Sequence, residues 1–249
     1  MKIALITCGH PRFTPDFITF MHQLQGFNRA DIYINFWTTD WAKDEVEART
    51  KIERVLLPKY NLAKIQIRDQ PAYSLPPHTI QLEPPRPENV LWWYERRIGM
   101  WQGLKMAYNL IDQDYDAVIR FRVDGRFFDN VYVSGLDLKN NELLYQTHAR
   151  AGFDNFRICD LFTVGTQEGM KFYCDLADHL QEIIPIADPN WQYRYNGPWS
   201  SEHCLAIYLQ QHNKKQVFGD FNFHINWNGR SRFTDHHFHH PILPDPTER

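Results

Sequence analysis

The sequence has few cysteines and no long hydrophobic run. The cysteines are widely spaced and form no C-x-x-C pair, so we expect reduced thiols in an intracellular protein; they are Cys8, Cys159, Cys174 and Cys204. The first apolar run, residues 3–6, is too short for a signal peptide, and no later run approaches the length of a membrane span. These features predict a cytoplasmic protein.

An excess of positive charge and the common phosphate-binding motifs are also missing. The chain carries 27 Lys and Arg against 30 Asp and Glu, so bulk attraction to nucleic acid is not expected. The loop after the first predicted strand, CGHPRF, contains neither G-x-G-x-x-G nor a P-loop. The chain is therefore neither a standard dinucleotide-binding fold nor a P-loop enzyme.

Alternating strand and helix patterns predict an α/β fold. The 249 residues suit one large domain or two small ones, and β-branched apolar runs alternate with segments of helical periodicity. Strands are predicted at residues 2–7, 31–36, 63–67, 117–123, 142–147, 161–164, 215–219 and 221–225. Helices are predicted from residue 15, at 43–57, 90–113 and 166–184, and from residue 200. We interpret the proline-rich segment 70–88 as a long loop within a single domain.

The segment YDAVIRFRVDGRFF, residues 115–128, carries an unusual row of charges. Arg120, Arg122, Asp124 and Arg126 alternate with apolar residues, so in an extended chain the four side chains would share one face. Three guanidiniums and one carboxylate at the end of a buried strand predict a site for an anion or for a metal–anion pair. The alternative is a charged edge strand in which Arg and Asp pair locally.

Two strand ends are predicted to face the same crevice. Residues 7–12 follow the first strand and residues 122–126 follow the fourth, and ligands of open α/β sheets bind outside the carboxyl ends of the strands. A carboxylate there can bind Mg²⁺ or Mn²⁺ when a diphosphate supplies further oxygen ligands. The flanking arginines can also neutralise a diphosphate directly, through bidentate contacts.

The same segment resembles the strand and acidic motif of GT-A-type glycosyltransferases, in a variant where D-x-D has become R-x-D. The bacterial and viral transferases of surface polysaccharides are the similar group. The resemblance extends to MKIALITCGHPRF at the start of the chain, to ICDLFTVGTQEGMKFYCDL, and more weakly to WSSEHCLAIYL. It implies a single GT-A-like, Rossmann-related domain: a nucleotide-sugar-binding half at 1–130, an acceptor half at 131–235 and an irregular tail at 236–249.

The resemblance also implies roles for individual residues. Asp160 and Glu202 would be catalytic acids on the acceptor side, and Asp124 would face a metal ion or the ribose. Because Arg122 replaces the first carboxylate of D-x-D, the need for Mn²⁺ or Mg²⁺ stays open. The residues implied to bind the nucleoside-diphosphate sugar are Thr7, Gly9, Arg12, Arg97, Arg120, Arg122 and Asp124.

The implied function is transfer of a sugar from a nucleoside-diphosphate sugar to a saccharide acceptor. Peripheral membrane contact and the oligomeric state stay open. The alternatives are a catalytically silent nucleotide- or carbohydrate-binding protein, and a nucleotidyltransferase, for which the CGHPRF loop is poor in glycine. If these two residues are not catalytic, Asp160 would form part of a turn or a helix cap, and the Glu202 carboxylate would interact favourably with the dipole at a helix N-terminus. We interpret the histidines of 236–240 as exposed rather than metal-binding, and the aromatic residues of 191–199 as packing or a sugar platform.

Overall fold

A mixed sheet, formed by seven of the strands that the structure describes, lies between two layers of helices. The structure is a computed structural model, and it describes residues 1–9, 15–38, 41–73, 90–127, 129–138, 143–146, 162–186, 201–214, 216–219, 223–227 and 230–231. The strands are β1 (Lys2–Gly9), β2 (Leu24–Gln25), β3 (Arg29–Trp37), β4 (Tyr60–Arg68), β5 (Ala117–Arg120), β6 (Gly125–Phe127), β7 (Val131–Tyr132), β8 (Leu143–Gln146), β9 (Thr163–Gly165), β10 (Gln216–Gly219), β11 (Phe223–Trp227) and β12 (Arg230–Ser231). The helices are α1 (Pro15–Gln23), α2 (Glu45–Glu53), α3 (Val90–Tyr108), α4 (Gln167–Ile183) and α5 (Ser201–Gln211).

The strand order of the main sheet is β10-β8-β9-β5-β1-β3-β4. The strands β1, β3, β4 and β5 pair in parallel, and β9 pairs antiparallel with both β5 and β8. Strand β10 pairs in parallel with β8, so β9 alone runs against the other strands of this described sheet. The sheet is thus mixed and mostly parallel, as predicted.

Strand β1 forms because its sequence suits burial on both faces. Residues 3–7 (IALIT) are all buried, and a continuous apolar run is typical of a parallel strand covered by helices. Side chains alternate between the two faces of a strand, so Ile3 and Leu5 join the core under α1 and α2, whereas Ala4 and Ile6 join the core under α3, α4 and α5. The sheet therefore has a face on the α1 side and a face on the α3 side.

The helices begin and end where local sequence dictates. The Thr166 hydroxyl accepts a hydrogen bond from the Gly169 amide at 3.0 Å and caps α4. Asp44 caps α2 in the same way, from the Glu47 amide at 2.8 Å. The buried residues of α4 recur at spacings of three and four, which confirms the periodicity predicted for 166–184. Two helices are shorter than predicted, because α2 spans 45–53 and α3 ends at residue 108.

Two small sheets extend the fold. Strands β6, β11 and β12 form one of them, in which β6 pairs antiparallel with β11, and β2 pairs in parallel with β7 in the other. Within the described ranges, no helix combines the length and the apolar character needed to cross a lipid bilayer.

Helix α3 approaches the sheet closely at Gly103. A Cβ atom on this glycine would lie 3.0 Å from Cζ2 of Trp37 and 3.2 Å from Cβ of Cys8. Trp37 is buried, and the Cys8 Cβ is attached directly to the backbone of β1, so neither neighbour can move freely. The absence of a side chain at this position therefore sets the distance between α3 and the carboxyl ends of β1 and β3.

We predict that Gly103→Val lowers the free energy of unfolding by about 1–3 kcal/mol, because overpacking forces α3 away from the sheet. Gly135→Val is the matched control, since Gly135 is exposed and a Cβ there meets nothing within 4 Å. The measurement is urea unfolding of both variants. Equal stability of the two variants would contradict the close approach.

Candidate functional site at the carboxyl ends of the parallel strands

The sheet changes its winding direction between β1 and β5. From β1 the chain continues on one side to β3 and then β4, whereas β5 joins β1 on the other side, with Ile6 paired with Arg120. A crevice outside the carboxyl ends of the strands at such a switch point is the usual ligand site of open α/β sheets. This parallel pairing confirms that the carboxyl ends of β1 and β5 lie at one edge of the sheet, and the loop after β1, residues 10–14, lies outside the described residues.

Gly9 ends β1 at this edge with a backbone conformation that favours glycine. Its φ is +104°, in the left-handed region, and a Cβ atom there would meet nothing within 4 Å. Thr7, two residues earlier, is 1% exposed, and its hydroxyl has no hydrogen-bond partner among the described residues. Two of the residues predicted to bind the nucleotide-sugar, Thr7 and Gly9, thus lie at the carboxyl end of β1.

The charged row of residues 120–126 does not form one extended strand. Strand β5 ends at Arg120, and the Gly125 amide donates to the carbonyl oxygen of Arg122 at 3.2 Å, so a turn lies between Arg122 and Arg126. Arg126 belongs to β6 in another sheet. The prediction that all four side chains line one face of an extended chain is therefore wrong.

Helix α1 holds this turn in place. The Phe121 ring stacks on Phe20 with centroids 4.9 Å apart, and Phe127 lies 5.5 Å from the same ring. The Gln23 side chain accepts from the Phe127 amide at 2.8 Å and donates to the Phe127 carbonyl oxygen at 2.6 Å. The apolar residues between the charges thus dock on α1 and fix the path of the backbone.

Arg122 and Asp124 form a bidentate pair within the turn. Arg122 donates from Nε to Oδ1 at 2.8 Å and from Nη2 to Oδ2 at 2.7 Å. The Asp124 side chain is 4% exposed and that of Arg122 26%. The local pairing considered as the alternative is therefore present for these two residues, although β5 is an interior strand of the sheet and not an edge.

The Asp124 carboxylate does not fit a divalent cation in this arrangement. Each of its oxygens accepts a hydrogen bond from the same guanidinium, and this positive charge lies where a metal ion would bind. A cation at Asp124 would have to displace Arg122 or tolerate its charge at close range. The predicted assignment of Asp124 to a metal thus lacks support from the side-chain geometry.

The Arg120 guanidinium is buried, and few described groups compensate its positive charge. The residue is 3% exposed, and its Nη2 contacts the Met100 sulfur at 3.8 Å. Its Nη1 has no hydrogen-bond partner among the described residues, and no ion pair of Arg120 is found there. Thr163, paired directly with Arg120 across β5 and β9, is fully buried, and its hydroxyl also has no partner in the same ranges. Because paired residues of adjacent strands share a face, both side chains lie with Ile6 on the α3 side.

The N-terminus of α5 and Arg120 contact the same methionine. The Ser201 hydroxyl, fully buried, is 4.0 Å from the same Met100 sulfur that Arg120 contacts. Burial raises the pKa of the Cys204 thiol to about 12, the positive charge of Arg97 lowers it, and the Glu202 carboxylate raises it. The charges of Arg97 on α3 and Glu202 on α5 thus both act on Cys204, whereas Arg120 reaches the first turn of α5 through Met100.

Two buried cysteines are poor nucleophiles at neutral pH. Burial raises the pKa of Cys174 well above its usual range, and the nearby Cys8 adds to this effect. The pKa of Cys204 is also raised, chiefly by burial. A thiolate is the reactive form of cysteine, so neither residue is suited to covalent catalysis.

Several predicted features lie outside the described residues. These are Arg12, Asp160, the aromatic segment 191–199, the histidines of 236–240 and most of the proline-rich loop.

The structure also contains buried polar residues that the sequence did not single out, namely Asn35, Thr163 and Ser201. The amide of Asn35 is fully buried, and both of its polar atoms lack partners among the described residues. The available indication was a polar residue within an apolar strand, near the carboxyl end in DIYINF and at the amino end in FTVG.

A polar cavity of about 560 Å³ lies at the opposite edge of the sheet. It is lined by residues from the amino-terminal ends of β1, β3 and β4, among them Lys2, Arg29 and Asn61. Its charged groups pair with one another, as in Lys64 with Asp112 at 2.8 Å and Arg29 with Asp31 at 3.7 Å. We place the candidate site at the carboxyl edge instead, because a partly uncompensated buried charge lies there and because ligands of such sheets bind there.

Comparison with known proteins adds no assignment to this geometry. No protein-family model matches the sequence, and no curated protein matches it either.

We predict that Arg122→Met destabilises the protein by about 3 kcal/mol, because it leaves the buried Asp124 carboxylate without its partner. Asp124→Asn costs less, since the Arg122 side chain is a quarter exposed and can reach water. The double variant recovers much of the loss caused by Arg122→Met, and urea unfolding of the four proteins measures the coupling. Simple additivity of the two single effects would show that the pair is not coupled.

Proposed function

We propose that this protein is a glycosyltransferase that moves a sugar from a nucleoside-diphosphate sugar to a saccharide acceptor. One observation carries the proposal: the buried Arg120 guanidinium ends β5 beside β1 and contacts the same Met100 sulfur as the first turn of α5, and the positive charge of Arg97 acts on Cys204 of that helix. Both the guanidiniums and a helix N-terminus favour a bound anion. A diphosphate at the switch point would be held there by fixed positive charge.

The sheet topology supports the same proposal. When the seven strands of the described main sheet are numbered along the chain, their order is 3-2-1-4-6-5-7, and the sixth runs against the others. The parallel half, 3-2-1-4, has the order of a Rossmann-type nucleotide-binding unit. A Rossmann-related, mostly parallel mixed sheet is what a GT-A-like fold implies. Because one fold can host many functions, the proposal depends on the charged groups at the site and not on the sheet alone.

The proposed reaction assigns a role to each group at the junction. The acceptor hydroxyl attacks the anomeric carbon, a new carbon–oxygen bond forms, and the bond to the diphosphate breaks. A carboxylate accepts the hydroxyl proton. Of the two predicted acids, Glu202 lies within the described residues, in the first turn of α5, and we assign it this role. Arg97 and Arg120 would stabilise the charge that develops on the leaving diphosphate. Asp160, the other predicted acid, lies outside the described residues.

One observation favours a second function, a binding protein of the same fold that transfers nothing. The Arg122–Asp124 pair closes the position where a D-x-D motif would hold a metal ion. Loss of that motif is compatible with retained nucleotide or saccharide binding and lost catalysis. Binding of a nucleotide-sugar without hydrolysis or transfer would identify this second function.

A thermal-shift screen tests the proposal, using UDP-, GDP- and dTDP-sugars with and without Mn²⁺. A matching nucleotide-sugar at about 100 times its Kd should raise Tm by about 5–10 °C, because ligand binding stabilises only the folded chain. Free sugars and nucleosides serve as controls for the diphosphate. Indifference of Tm to every nucleotide-sugar would exclude both the transferase and the silent nucleotide-binding protein. The ligand found is then assayed for release of its nucleoside diphosphate with mixed saccharide acceptors.

A further inference from the structure

We infer that the nucleoside diphosphate binds without a divalent cation, and that Arg120 supplies the fixed positive charge at its phosphates. This inference rests on the proposed function and specifies the cofactor requirement of the same site. It follows from a difference between Arg120 and Arg122, two arginines of the segment 115–128. Arg122 is paired with a carboxylate, whereas Arg120 has no carboxylate partner among the described residues.

The charge of the Arg122–Asp124 pair is balanced within the turn. Both carboxylate oxygens of Asp124 bind the Arg122 guanidinium at 2.7–2.8 Å, so the pair as a whole is neutral. A divalent cation needs anionic oxygen ligands that are not already next to a positive charge. The pair therefore fixes the turn after β5, and the positive charge that a bound metal would supply to a diphosphate must come from elsewhere.

Arg120 holds that charge in a form available to a ligand. A charged group buried without a partner is strongly disfavoured, and a bound anion would supply the missing partner. The Nη2 atom contacts only a thioether sulfur in the described ranges, and sulfur is a weak acceptor. Met100 is partly exposed and unbranched, so its side chain can move aside and give its place to a phosphate oxygen.

The surroundings of Arg120 complete an anion site. The Thr163 hydroxyl, paired across the sheet and without a described partner, can donate a hydrogen bond to the same anion. The first turn of α5, an 11-residue helix, begins at Ser201 and contacts the same Met100 sulfur. Unpaired backbone amides at a helix N-terminus point toward an anion, and the helix dipole favours it. The buried guanidinium and the first turn of α5 thus meet at the Met100 side chain, and the Thr163 hydroxyl belongs to the strand residue paired with Arg120.

The test measures nucleoside-diphosphate affinity by calorimetry in EDTA and again in Mn²⁺, for the intact chain and for Arg120→Met. We expect affinity in EDTA to equal that in Mn²⁺. Arg120→Met should weaken diphosphate binding about 10- to 100-fold, because a charge-assisted hydrogen bond to the phosphates is lost. Binding of the corresponding nucleoside, which has no phosphate, should not change. Inorganic pyrophosphate tests the phosphate contacts alone and should lose affinity in parallel.

A second measurement separates a ligand-binding role from a structural one. Removing a buried charge that has no partner should leave the Tm of the ligand-free protein unchanged or raise it, whereas loss of a structural arginine would lower it. Arg29→Met at the opposite edge of the sheet is the control, since its side chain is 68% exposed and it should change neither binding nor Tm. Arg120→Lys keeps the charge and should show a smaller loss of affinity than Arg120→Met.

The possible outcomes distinguish failure of this inference from failure of the proposed function. Binding that requires Mn²⁺ would overturn the metal-free site while the proposed transferase stands. Metal-free binding that neither Arg120→Met nor Arg120→Lys weakens would overturn the role of Arg120. A variant Arg120→Met that unfolds would be evidence of a structural role, and Arg120→Lys then decides whether binding also depends on this residue. Absence of binding under every condition would overturn the proposed function together with the inference.

Discussion

The burial of the Arg120 guanidinium is the constraint on which the account of this protein depends. Strand β5 is an interior strand, paired on one side with β1 and on the other with β9, so its last side chain is enclosed by sheet and helix. A buried charge is tolerated only when something compensates it. The described contacts of the guanidinium are a sulfur atom and a neighbouring hydroxyl-bearing strand, and we propose that a bound anion compensates the charge.

Packing elsewhere in the fold holds this charge in position. Gly103 allows α3 to lie close to β1 and β3, and one helical turn before that glycine Met100 covers the guanidinium. On the other face, the stacked rings of Phe20 and Phe121 direct the chain away from β5 immediately after Arg120. The charged segment thus contains a neutral pair, Arg122 and Asp124, within the turn, and a separate buried cation, Arg120, which we propose as the anion-binding group. Arg120 and the Arg122–Asp124 pair lie within the five residues 120–124, yet the first is covered by α3 and the turn of the second packs on α1.

Much of the fold could be predicted from local sequence, and much of the site could not. The apolar run IALIT and the periodic pattern of α4 each carry enough local information to define a buried strand and an amphipathic helix. The reversed direction of β9 is a non-local property, set by pairing with β5 and β8, which no pattern within its three residues records. The alternation of Arg120, Arg122 and Asp124 was visible, but its interpretation as a single face failed because Phe121 and Phe127 pack on α1 and end the strand. Which arginine pairs with Asp124 depends on that turn, so the sequence alone left the choice between a metal site and an arginine site open.

A crystal structure of the protein with the nucleoside diphosphate that stabilises it most, grown in EDTA, tests the central claim most directly. We expect the two phosphates at the carboxyl edge between β1 and β5, with an oxygen within hydrogen-bond distance of Arg120 Nη1 and with the Arg122–Asp124 pair intact. A nucleotide in the polar cavity at the amino-terminal edge would contradict it. Phosphates at the carboxyl edge that bind Asp124 through a metal ion, with Arg122 displaced, would contradict it as well.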